Sequence, residues 1–301
     1  MDKIDYGVQI EPQFGYTYQH ISDVAKAAEK HGFESLWTSD HFLIRPEAVD
    51  VNCLEAWTTI SALASETKNL RLGNMVASQS YRNPALHAKI AASLDHISGG
   101  RVYFGIGAGW KEVEYKAYNI PFPKPWIRLK QLEDAILVAK HMWNDPVAEY
   151  KGKHYSVNTV AMPKPIQKPL PVLIGGMGDQ LLKITAKHAD VANFAWNPVL
   201  DTHREKLKVL EKHCKRYKRD YSGIRKSAGL HLAIQGAEAK APAPYEKYSG
   251  MRIWDYKTPE DAAEFIRGYV DLGVDHFVIV FPYGAEAESI RVLMDQVAPL
   301  V

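Results

Sequence analysis

The chain has 301 residues, 46% hydrophobic and 24% charged, near-average values that exclude disorder, collagen and coiled coil. Thirty-seven Lys and Arg against 35 Asp and Glu leave +2; this is no nucleic-acid binder's charge, and no apolar stretch approaches the ~20 residues of a membrane span. The N-terminal MDKIDYGVQI lacks a basic-then-apolar signal pattern, so a cytoplasmic location is expected, and two cysteines outside any metal-type spacing, Cys53 and Cys214, are expected to be free thiols.

The hydrophobic period alternates between strand-like runs and amphipathic helical segments. A first apolar run, Ile4 to Ile10, precedes a helical pattern from about Thr17 to His31, which Gly32 stops. Strands at Ser35 to Ser39, Leu70 to Ala77 and Val102 to Ile106 alternate with helices at Leu54 to Glu66 and Pro84 to Ile97. Pro84 suits the first turn of its helix, and Ser98-Gly99-Gly100 ends it. The alternation pauses over a Pro- and aromatic-rich stretch, 110–126, followed by a helix from Ile127 to Trp143 and a short hairpin at Tyr150 to Tyr155. It resumes with strands at Val172 to Gly175, Val191 to Ala195 and Ala228 to Gln235, and helices at Gly178 to His188 and Thr202 to Lys218. Residues 236–257 read as a loop. A helix from Pro259 to Leu272, a strand from His276 to Phe281 and a helix from Glu286 to Val297 close the chain. Strands alternating with helices pair in parallel, because each crossover uses a helix. Eight such units close a barrel, where six would suggest an open doubly wound sheet. The expected fold is α/β: a (β/α)8 TIM barrel with insertions after strands 3, 4 and 7.

In such a barrel the active site lies at the C-terminal ends of the strands. Those positions carry Glu11, then Ser39-Asp40-His41-Phe42, Val76 through Arg82, Gly107-Ala108-Gly109-Trp110, Gly175-Gly176-Met177-Gly178 and Trp196-Asn197. Asp40-His41 is the sharpest pair. A rim histidine donates to a ring carbonyl or shuttles a proton near neutral pH; the bland alternative has Asp40 capping a loop and His41 packed. Gly175 to Gly178 precede a helix, where N–H groups and dipole suit a phosphate, or they only make a tight turn. Gly105-Ile106-Gly107-Ala108-Gly109 lacks the third glycine of a dinucleotide fingerprint, and its small residues would let a flat ring lie against backbone. Glu112 and Glu114 read as solvated or capping carboxylates. Trp37, Trp110 and Trp196 are the tryptophans positioned to touch a ligand. With no zinc or serine-hydrolase motif, no metal site is expected.

The segments LWTSDHF (Leu36 to Phe42), RLGNMV (Arg71 to Val76), YRNPA (Tyr81 to Ala85) and LDHISGGR (Leu94 to Arg101) combine with GIGAGW (Gly105 to Trp110) and PVLIGG (Pro171 to Gly176). Glu112, Glu114, Tyr115 and Ile120-Pro121-Phe122 add to them. Together the chain resembles the luciferase-like monooxygenase superfamily, in its branch of coenzyme F420 (deazaflavin)-dependent oxidoreductases, from about Ile4 to Asn197 and more weakly beyond.

The resemblance implies a single luciferase-like TIM-barrel domain over 1–301 that binds a tricyclic ring at its C-terminal mouth. His41 would meet the reactive edge of the ring, with Asp40 beside it to tune it, and Glu11 would serve proton transfer at the substrate pocket. A non-prolyl cis peptide would join Met75 to Val76 in a bulge behind the ring. Ser78 would lie near the ring or ribityl chain, Gly107, Ala108 and Gly109 along the ribityl side, and Gly175, Gly176, Met177 and Gly178 around the cofactor phosphate. Arg45 and Lys111 would meet the acidic tail of the cofactor. The implied reaction is hydride transfer between the cofactor C5 and a small organic substrate. An FMN-dependent two-component monooxygenase and a non-catalytic flavin-binding protein are the alternatives. Expected partners are a small-molecule substrate and a second copy in a homodimer, with no nucleic acid and no membrane. In sugar-phosphate dehydrogenases of this branch an acidic residue follows the fourth-strand glycines. Trp110 stands there in this chain, which argues against a sugar-phosphate substrate.

Overall fold

A computed structural model describes residues 3–301. Eight parallel strands form the barrel: β1 (Asp5–Ile10), β2 (Ser35–Thr38), β3 (Arg71–Asn74), β4 (Val102–Gly107), β5 (Val172–Gly175), β6 (Val191–Phe194), β7 (Arg225–His231) and β8 (His276–Val280). Each pairs with the next, and β8 pairs back to β1, so the sheet is closed. Closure removes the free edges that an open sheet must protect. The crossover helices are α1 (Tyr18–Lys30), α2 (Ala56–Glu66), α3 (Pro84–Ser98), α4 (Pro125–Asn144), α5 (Asp179–His188), α6 (Leu200–Tyr217), α7 (Pro259–Val270) and α8 (Glu286–Val292). None is long and apolar enough to cross a membrane.

Local signals set the boundaries. Thr17, Asn83 and Thr258 cap α1, α3 and α7 by accepting from first-turn N–H groups, and Gly99 (φ 69°) takes the left-handed position that ends α3. β7 starts at Arg225, three residues before its apolar part. Charged residues can open this strand because the Arg225 guanidinium pairs with Asp5 of β1 at 2.7 Å and with Asp275, just before β8, at 3.0 Å. Cys53 and Cys214 are free.

The added segments follow strands 2, 4 and 7. After β4 come a short helix (Glu112–Ala117) and, beyond α4, an antiparallel hairpin of Ala148–Lys151 and Ser156–Thr159. After β7, residues 232–258 include a short helix and a two-stranded parallel pair, Ala233–Ile234 with Tyr256–Lys257. No insertion follows strand 3. The expected apolar run breaks at Met75–Val76, resumes as Ala77–Ser78 against β4, and reaches α3 through residues 79–83 alone. The long loop is instead 39–55, after β2, and Glu55 caps the helix that ends it. The two loops over the mouth are tied together, since Asp50 meets Lys247 and accepts from Tyr248 at 2.6 Å.

Inside the barrel, Trp37 is fully buried and fills the axis. Gly73 makes room for it, since a Cβ there would lie 2.7 Å from the indole, and Gly105 makes room for the third strand, since a Cβ there would strike the Asn74 carbonyl at 1.7 Å. Tyr103 stacks on Trp37 at 5.0 Å, and Leu173, Val191 and Val278 pack round them. A larger apolar core lies between the outer face of the barrel and its helices.

Candidate active site

Above Trp37 a cavity of about 420 Å³ opens at the C-terminal ends of the strands. Its wall takes Glu11 from β1, Ser39, Asp40 and His41 from the loop after β2, and Met75, Val76 and Ser78 from the interrupted third strand. Gly107, Ala108, Gly109 and Trp110 follow β4; Gly175 and Gly176 follow β5; Asn193 and Trp196 belong to the sixth unit. Most of the expected rim residues therefore line one cavity, while Met177 and Gly178 do not. The Met75–Val76 peptide is cis, as the resemblance implied, and so is Ala195–Trp196, which no sequence feature announced.

The side chain that holds His41 is Glu114, not Asp40. His41 Nδ1 lies 2.9 Å from a carboxylate oxygen of Glu114. Glu114 is wholly buried and also accepts from the backbone N–H groups of Phe42 (3.0 Å) and Leu43 (3.3 Å) and from the Tyr81 hydroxyl (2.6 Å). The Lys111 ammonium stands 3.2 Å from it. Burial alone would push the Glu114 carboxyl up, but His41, Tyr81 and Lys111 outweigh it and hold it down at about 2. An ionised carboxylate only accepts hydrogen bonds. His41 Nδ1 therefore carries a proton towards Glu114, which turns Nε2 away from it, to the free side of the ring.

Asp40 is taken by another partner. Arg82 grips both of its oxygens, at 2.7 and 2.9 Å, and also contacts Glu55. Burial works against the Arg82 charge, yet Asp40 and Glu55 prevail and raise its pKa. Asp40 thus braces the cavity wall, and the tuning of His41 passes to Glu114. Glu112 and Glu114 both open a short helix, but two positions apart they face opposite ways, so Glu112 is exposed and Glu114 is not.

Glu11 stands at the cavity with its carboxylate accepting from Gln9 at 2.9 Å and from Gln13, while Ser39 donates to Gln13 at 2.8 Å. Ser78 meets the Tyr115 hydroxyl, and a Cβ on Gly109 would overlap both groups. Gly176 has φ 125°. Two of the expected cofactor residues stand off the cavity: Met177 packs against the cluster between α5 and α6, and Gly178, exposed, is the N-cap of α5 without a side chain to satisfy its amides. Lys111 donates to the Leu43 carbonyl at 2.5 Å besides pairing with Glu114, so it is occupied inside the wall and does not reach outward for an acidic tail. Arg45 is exposed. Trp110 projects from the rim and meets the His41 ring edge-on at 5.6 Å.

The Glu114 clamp makes an acid-stability prediction. A carboxylate lowered from the ordinary 4.5 to about 2 contributes stability that is complete above pH 4.5 and lost as the pH falls towards 2. Thermal melts between pH 5 and 2 are expected to show this loss. In Glu114→Gln, which cannot titrate, the melting temperature should fall less steeply over the same interval.

A model of the luciferase-like monooxygenase family matches residues 5–268. The chain is 23% identical to an F420-dependent glucose-6-phosphate dehydrogenase of Kineococcus radiotolerans, covering 93% of this chain and 92% of the relative. Its fold superposes on an F420-dependent secondary alcohol dehydrogenase in complex with an F420-acetone adduct, with TM-score 0.84 and 19% identity over 99% of both chains. The coenzyme F420-dependent tetrahydromethanopterin reductase of Methanopyrus kandleri gives TM-score 0.81 and 19% identity over 99% of both chains.

Proposed function

Because the chain belongs to the luciferase-like monooxygenase family, we propose that it is a coenzyme F420-dependent oxidoreductase passing a hydride between the deazaflavin C5 and a small organic substrate. The observation that carries this reading is the cavity itself. Glycine-lined backbone at Gly107 to Gly109 and Gly175 to Gly176 leaves a flat slot beside Val76, and a histidine with a fixed tautomer stands at its wall. The F420-dependent relatives support the choice of cofactor.

The residues fit such a group. A side chain on Gly107 would come within 2.7 Å of Val76 and one on Gly175 within 3.0 Å, so the slot exists only because both are glycine. The α5 N-terminus beside Gly176 carries free amides suited to a phosphate. When bound, the deazaflavin supplies the hydride chemistry, and the protein supplies orientation and electrostatics. His41 Nε2 accepts a proton from a substrate hydroxyl being oxidised, and returns it in the reverse direction. Glu114 fixes the ring proton on Nδ1, which leaves Nε2 as the base, and steadies the imidazolium as it forms. Glu11 lies across the substrate side. Among the described residues, no lysine or arginine lines the cavity, whereas Glu11 and Asp40 do, which disfavours a phosphorylated substrate. A second copy of the chain completes the proposed assembly.

Fluorescence titration is expected to show tighter binding of F420 than of FMN, followed by oxygen-independent consumption of one redox form with substrate. Tight FMN binding with no deazaflavin binding reverses the assignment in favour of a monooxygenase. The phosphate position has its own test. Gly176→Val should weaken F420 binding by about 10–100-fold, the range for hydrogen bonds to a charged group. It should affect a truncated ring lacking the phosphate far less. Strain at φ 125° would also lower the melting temperature, but would not separate the two ligands. Equal losses for both would place the phosphate elsewhere.

A further inference from the structure

We propose that Asn193 presents its amide oxygen to the cavity as a fixed hydrogen-bond acceptor, oriented by a directional chain of side chains that crosses the barrel interior to Glu34, so that the site selects a ligand offering an N–H or O–H there. The inference rests on the reading that a flavin-type ring and a small substrate share the cavity.

Asn193 lines the cavity from β6. Its Nδ2 lies 2.8 Å from Ser227 Oγ on β7, and that oxygen lies 2.9 Å from His276 Nδ1 on β8. His276 Nε2 stands 3.6 Å from Glu34 Oε2 and 3.4 Å from Ser35 Oγ. Asn193, Ser227 and His276 are each about 1% exposed, so no bulk water relaxes their choices. The direction is set from the far end. Glu34 Oε2 is buried without a hydrogen bond, while Tyr103 donates to Oε1 at 2.8 Å. Burial pushes the Glu34 carboxyl up, but the nearby His276, Ser35 and Tyr103 side chains hold it at about 2.

A carboxylate only accepts, so we assign a proton to His276 Nε2, the nearest nitrogen at 3.6 Å, on the side that faces Glu34. Arg71 Nε, 3.8 Å from Glu34, supplies a separate countercharge, and the proposed chain requires the other ring nitrogen of His276 to be bare. His276 Nδ1 is then an acceptor and takes the Ser227 proton. The Ser227 oxygen in turn takes an N–H from Asn193. The remaining Asn193 atom, Oδ1, accepts from no group among the described residues and is left for the ligand. Two donors suit it: the imide N–H of the pyrimidinedione ring that flavins and deazaflavins share, or a substrate hydroxyl.

Nitrogen-15 NMR of histidine-labelled protein, with the His276 signals assigned by their loss in His276→Gln, tests the chain without any ligand. A neutral His276 protonated at Nε2 is expected at pH 7; an imidazolium or an Nδ1–H ring overturns the proposal. Glu34→Gln introduces a donor at the far end and lets every bond in the chain reverse. F420 titrated without substrate should then bind about tenfold more weakly if the ring supplies the donor. An unchanged affinity with a raised substrate KM assigns the donor to the substrate. Unchanged affinity and unchanged KM, in both Glu34→Gln and Ser227→Ala, overturn the proposal. Failure of wild type to bind F420 at all would refute the cofactor assignment, while the His276 tautomer still decides the chain.

Discussion

His41→Ala is expected to lower turnover by about 10²–10⁴-fold, the usual contribution of a positioned acid–base group, with little change in melting temperature. The asymmetry follows from the clamp. Removing the imidazole takes one donor from Glu114, but Phe42, Leu43, Tyr81 and Lys111 remain on it, so no buried charge is abandoned. Steady-state kinetics beside a thermal melt and a cofactor titration check this. Unchanged turnover would reduce His41 to a packing residue.

Glu114→Gln is expected to damage both function and fold. An amide donates from one of its two arms, yet both Glu114 oxygens face donors: His41 Nδ1–H and the Tyr81 hydroxyl at one, Phe42 and Leu43 N–H at the other. Turned one way, the glutamine N–H group meets the N–H groups of Phe42 and Leu43; turned the other, it meets His41 Nδ1–H until that ring shifts its proton. The mismatch is expected to destabilise by about 1–3 kcal/mol. It also frees His41 to turn its proton towards the cavity, where a base is needed, and turnover should fall about 10²-fold or more. The diagnostic pattern is a fall in kcat with F420 affinity largely kept, since Glu114 itself does not line the cavity. Loss of cofactor affinity matching the loss in kcat would make Glu114 merely structural.

Most of the barrel was legible because its strands are short apolar runs with clear stops. β5 has the expected limits, and β6 differs by one residue at its end. The exceptions have physical causes. β7 begins on Arg225 and Lys226, and polarity hid it, because the ion pairs that make those residues tolerable are made by β1 and the end of the seventh crossover, far away in sequence. The third strand read as one run because a cis peptide leaves no mark on composition, and only the resemblance located it. The site was legible as a set of rim positions, less so as a set of pairings. Asp40 and His41 are adjacent in sequence and invite a pairing, but consecutive residues of a loop point apart, and each found a partner on another crossover. Glu114 reads with Glu112 as a solvated or capping carboxylate because its helix has six residues, too few to show which face is buried.

The indole of Trp37 has a consequence for kinetics. With the axis of the barrel plugged by this ring, the cavity has its doorway at the strands' C-terminal ends, under the loops that Asp50 ties together. Two ligands that share one doorway queue. Whichever sits deeper is expected to arrive first and depart last, and initial-rate kinetics with product inhibition should show that order, with an excess of the outer ligand inhibiting.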